Sequence, residues 1–148
     1  MPTPRWSGVC TMNVPGNEQV SWVPALDYLT AGRLYRIHVP QEENKEQRWT
    51  PEGSSGCTAD GDPDLTRVGV ELPMPNVAVG ALIGRIGGST ADMAADKDRM
   101  LIFAIGRYCV FQAPQAPTIG ALFLGSNESR SSIVRFDGSL NVTIEQAF

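Results

Sequence analysis

Hydrophobic and polar positions alternate with a period of two in several short stretches of the chain, while few windows keep the spacing of an amphipathic helix. In Arg33-Leu34-Tyr35-Arg36-Ile37-His38-Val39, the side chains of Tyr35, Ile37 and Val39 fall on one side, and Arg36 and His38 fall on the other. That pattern predicts a half-buried strand with His38 on its wet face. Similar strands are predicted over residues 20–23, 68–72, 79–86, 101–105, 108–112, 119–124 and 140–145. Turn chemistry separates them at Pro15-Gly16-Asn17, Thr30-Ala31-Gly32, Asp60-Gly61-Asp62-Pro63, Gly87-Gly88, Ala113-Pro114 and Asp137-Gly138. Only residues 89–99 have the capping residues and alanines of a helix, for one or two turns at most, and a loop fits them equally. Short strands at this spacing without a crossover helix point to an all-β fold, an antiparallel sandwich or barrel.

Composition narrows this to a single domain spanning residues 1–148, because 148 residues with 42% hydrophobic and 19% charged side chains fit one core. The 15 glycines and 11 prolines suit the many turns of such a fold. With 12 basic against 16 acidic residues, a net charge of −4 and no basic run, the chain lacks the footprint of a nucleic-acid binder. No apolar run approaches the roughly 20 residues of a membrane span. The first five residues carry neither a charged n-region nor an apolar h-region, so no classical leader is expected. A cytoplasmic location, or release by another route, follows from that reading.

The residues that carry chemistry are few. Cys10, Cys57 and Cys109 cannot all pair within one chain and have no metal-clip spacing, which predicts buried or half-buried free thiols. Cys57, in a polar and glycine-rich stretch, is the one most open to reaction. His38 has no nucleophile beside it in the sequence, and no GxSxG, HExxH or P-loop pattern occurs. The cluster Asp60, Asp62 and Asp64 suits a solvated turn or a cation site better than glycoside acid/base chemistry. Two oxygen-rich loops stand out, over residues 44–64 and 126–137. Their carboxylates, amides and hydroxyls are the groups that calcium or a sugar requires.

Read in order, the motifs are Trp6-Ser7-Gly8, the strand after Gly32 and Gln47-Arg48-Trp49-Thr50-Pro51-Glu52-Gly53. Next come Gly80-Ala81-Leu82-Ile83-Gly84-Arg85-Ile86-Gly87, Phe111-Gln112-Ala113-Pro114, the run from Gly120 to Glu128, and Asp137-Gly138-Ser139-Leu140-Asn141-Val142-Thr143-Ile144. In this order they resemble the bacterial galactose-binding lectins of the PA-I (LecA-like) family, over nearly the whole chain. The resemblance implies a small jelly-roll β-sandwich, usually a tetramer, that binds a terminal galactoside through a bridging calcium ion and has no enzymatic activity. It places the acidic calcium and sugar ligand at Glu128, after Asn127, and backbone oxygens at Ser129 and Ser132.

Other positions depart from the family. Arg135 and Phe136 stand where it has an asparagine pair, and Cys57 and Asp60 where it has a sugar-contacting histidine and glutamine. A backbone oxygen is implied at Glu43. The sugar set is therefore Asn127, Glu128, Ser129, Arg135 and Asp60, and the calcium set Glu43, Glu128, Ser132 and Asp137. Three arrangements remain open: a rearranged calcium site; an Arg135 guanidinium pairing with Glu128 in the metal's place; or a sandwich that serves oligomeric assembly or another partner instead of a sugar. Trp6, Trp22 and Trp49 are expected in packing roles.

Overall fold

The computed structural model describes residues 5–17, 22–68, 71–87, 101–114 and 120–148. Its strands are β1 (Trp6–Pro15), β2 (Val23–Leu26), β3 (Leu34–His38), β4 (Asp60–Asp62), β5 (Val79–Ile86), β6 (Leu101–Ala104), β7 (Tyr108–Gln112), β8 (Leu122–Ser126) and β9 (Ser139–Ala147). A single turn of helix, α1 (Arg130–Ile133), precedes β9. One sheet has the order β1-β9-β3-β7, and the other runs β2-β8-β5, with β4 and β6 sharing the far edge of β5. Among the described residues all the strand pairings are antiparallel. Apart from the short β4, the strands of the first sheet are matched in chain order by β2, β8, β5 and β6 of the second, which is the connectivity of a jelly-roll sandwich.

The alternation read from the sequence sets the core. Tyr35, Ile37 and Val39 are buried with Leu140, Val142 and Ile144 of β9 and with Leu82, Ile86, Leu122 and Leu124 of the opposite sheet. β5 departs from the half-buried expectation, because it is buried along its whole length. Ile83 packs on its outer side in a second cluster with Trp22 and Phe123, and the Arg85 guanidinium lies 5.1 Å from the Trp22 ring centre and 4.3 Å from that of Phe123. A strand covered on both faces reads as a continuous apolar run.

Other boundaries shift. β2 begins where the strand expected at 20–23 ends, and Val68, Glu71 and Leu72 belong to no strand. β8 starts later than expected and runs on through Ser126, held by pairing with Leu82 and Ile83. The short helix considered over 89–99, Val20, Ser21, Gly69, Val70, Gly88 and Ile119 lie outside the described residues. No described helix is long and apolar enough to cross a membrane.

Candidate functional site

The loops that follow β3 and β8 are stitched together around Trp49. Its indole N–H donates to the Gly80 carbonyl at 2.7 Å, and its ring meets Phe136 edge-on at 4.8 Å between centres. Trp49 and Cys57 exchange both backbone hydrogen bonds, at 3.0 and 2.9 Å, and Thr50 and Asp137 do the same at 2.7 and 2.8 Å. Two distant segments, 49–57 and 136–137, therefore form one rigid shelf. Burial pushes the Cys57 thiol up to about 11, so the cysteine singled out as open to reaction is enclosed and protonated at neutral pH. All three cysteines are free thiols.

Asn127 and Glu128 lie beside this shelf, at the exit of β8. The Asn127 carboxamide accepts from the Met74 N–H at 3.0 Å and donates to the carbonyls of Met74, Val77 and Ala78 at 3.0, 3.0 and 3.2 Å. It fastens the 74–78 turn. Glu128 is held by a fork: Arg67 Nε donates to Oε1 and Nη2 to Oε2, each at 2.9 Å, and the Ser129 N–H adds a 2.8 Å bond to Oε1. The Glu128 side chain is 0% exposed and that of Arg67 13%. A buried carboxylate needs such a partner, because an uncompensated charge there is strongly unfavourable.

The same Arg67 Nη2 donates to the Glu52 carbonyl at 2.8 Å, and the Glu52 carboxylate in turn takes the Arg135 guanidinium at 2.5 Å. Hydrogen bonds from Arg135 and Ser132, in that order, hold the Glu52 carboxyl below its ordinary value. The result is a chain of alternating charge: Glu128 and Arg67 underneath, Glu52 and Arg135 outside, the last two side chains 33% and 70% exposed. Ser129 caps α1 by accepting from the Ser132 N–H, so this turn of helix holds Ser132 next to the pair.

Asn127, Glu128, Ser129, Ser132 and, through Glu52, Arg135 are thus brought together. The pairing considered for Arg135 is corrected: Arg67 meets Glu128, and Arg135 pairs with the Glu52 carboxylate. Asp60 is elsewhere, accepting from the Arg107 backbone N–H at 2.9 Å and from its Nε at 2.6 Å. Asp62 is likewise occupied, by the Ser54 hydroxyl at 2.7 Å and the Asp64 N–H at 3.0 Å, which lower its carboxyl's affinity for protons. Glu43 sits at the tip of the Glu42–Lys45 turn, in the left-handed region with φ 52°, on a shallow groove of about 350 Å³. Asp137 contributes its backbone to Thr50 and has an exposed side chain.

This donor set does not fit a calcium ion, since both Glu128 oxygens already accept from a cationic guanidinium and Glu43 is on a different loop. Arg67 and Glu52 were missed as partners. Glu52 lies within a motif that stands out in the sequence, but Arg67 is a lone arginine whose carboxylate is 61 residues away. No family model matches the chain, and no curated protein matches it.

Proposed function

We propose that the chain is a non-enzymatic, lectin-like protein that binds a galactoside or a related terminal pyranose at the loop end, without calcium. The observation that carries this reading is the Arg67 fork on Glu128. A fixed positive charge stands against the acidic residue that the PA-I lectin resemblance makes the calcium and sugar ligand, so the guanidinium supplies positive charge where that family has a metal. Above it, Glu52 and Arg135 offer planar acceptors and donors at the surface, the groups that recognise adjacent sugar hydroxyls. Arg67 is then a positioning residue, and Glu52 and Arg135 are the contacts. The same resemblance supports a homo-oligomer, in which several weak sites gain avidity.

A second reading is favoured by the full enclosure of Glu128 and Asn127: the cluster is a structural clasp, and the sandwich serves assembly or another protein partner. A glycan array separates the two. Under the first reading the wild-type chain binds terminal galactosides saturably, and Arg135→Ala weakens that binding by about tenfold or more, the loss of a charge-assisted contact. Silence across all glycans, with a folded protein, supports the clasp.

A further inference from the structure

β7 ends the β1-β9-β3-β7 sheet on one side and, among the described residues, pairs with β3 alone. The register fixes which of its backbone groups that pairing uses. Val39 donates to the Arg107 carbonyl at 2.9 Å and Ala113 to that of Arg33 at 2.8 Å, one bond at each end of the β3-β7 ladder. Hydrogen-bonded pairs recur at every second residue of an antiparallel ladder, so the backbones of Cys109 and Phe111, like those of Arg107 and Ala113, face β3. The N–H and C=O groups of Tyr108, Val110 and Gln112 therefore point away from the sheet. Their side chains are exposed as well, Tyr108 at 60% and Val110 at 44%.

An open edge is a template for another strand, and sandwiches blunt their edges with bulges, proline, charge or shortness. The other edges of this sandwich are blunted in those ways. β1 carries the bulge between Gly8 and Cys10, β2 has an irregular register and Pro24, and β4 and β6 are only three and four residues long. β7 has five residues, Tyr108-Cys109-Val110-Phe111-Gln112, in unbroken register and without a charge or a proline.

We propose that β7 joins a second copy of this chain, antiparallel to the same strand across a two-fold axis at Val110. The inference rests on the homo-oligomer of the proposed function, for which it names the joining strand, and requires neither a sugar nor calcium. The edge is complementary to itself, which is what selects a second copy as its occupant. In this register Val110 meets Val110 and Tyr108 meets Gln112 across the axis, so every outward-facing residue of β7 bonds at once, in about six backbone hydrogen bonds. Sliding the strands by two residues would lose bonded pairs. The central side-chain pair is apolar and no like charges oppose each other. Arg107, beside the strand, falls opposite Ala113 and is already paired with Asp60 at 2.6 Å. The next outward positions end the pairing on both sides: Pro114 has no N–H, and the Gly106 N–H turns inward to the Leu82 carbonyl at 3.0 Å.

Sedimentation velocity of the full chain from about 1 to 300 µM tests this. A concentration-dependent dimer with a dissociation constant in the micromolar range is expected, because a single strand edge is a small interface. Val110→Pro removes only an outward N–H, and Val110→Lys sets two like charges face to face at an exposed position. Each is expected to weaken the association about tenfold or more, with the unfolding midpoint of Val110→Lys at the lowest concentration close to that of the wild type. If copies also join by a second surface, the same variants are expected to halve the mass instead. An oligomer that both variants keep at full strength overturns β7 as the join and leaves the oligomer itself standing. A wild-type chain that is monomeric throughout overturns both.

Discussion

Arg67 and Glu128 make one buried unit, and neither residue can be judged without the other. Arg67→Ala strands a carboxylate of 0% exposure. The expected loss is about 3–5 kcal/mol, whereas replacing both residues with apolar side chains is expected to be far closer to neutral. Urea unfolding of the single and double variants measures the difference. Glu52 acts at the surface, and its contribution follows pH. Its carboxyl is held below its ordinary 4.5 in the folded chain, chiefly by the Arg135 hydrogen bond. The folded state therefore binds that proton less readily than the unfolded state. The stabilisation is complete above the unfolded value and fades as pH falls through the folded one. Thermal unfolding followed from neutral pH down through this range is expected to fall less steeply for Glu52→Gln than for the wild type.

At the scale of elements, β5 and the Trp49 shelf depend on close approach. Gly80 has φ +85°, and a side chain there would come within 2.5 Å of Pro51 Cγ and 3.2 Å of the Cys57 sulfur. Gly80→Ala is expected to cost at least about 1–2 kcal/mol from backbone conformation alone, read as a lower unfolding midpoint. Which elements were legible in the sequence follows from how each is covered. β3 and β7 alternate cleanly because one face is inside and the other is wet, and their bounds were close to those expected. β1 was missed because a bulge between Gly8 and Cys10 breaks its phase: Trp6 and Gly8 share the outer face with Thr11 and Asn13, while Cys10, Met12 and Val14 turn inward. The site was legible in part. Asn127, Glu128 and Ser129 are contiguous and emerge from a strand, so a local pattern points to them. Arg67 reaches them only through the fold, and no local spacing reports a contact of that sequence separation.

For the whole molecule, two sheets leave two different surfaces: a loop end of alternating charge around Glu52, Arg67, Glu128 and Arg135, and the open edge of β7. The sandwich holds both rigid, through the shelf of paired backbone at Trp49 and Thr50 in the first case and through the unbroken pairing with β3 in the second. For the first we propose that a guanidinium takes the place of a metal at a sugar site. Calorimetric titration of the chain with a galactoside, once with calcium and once with chelator, decides it. The account predicts the same saturable binding in both conditions; binding that appears only with calcium, or none in either, would contradict it.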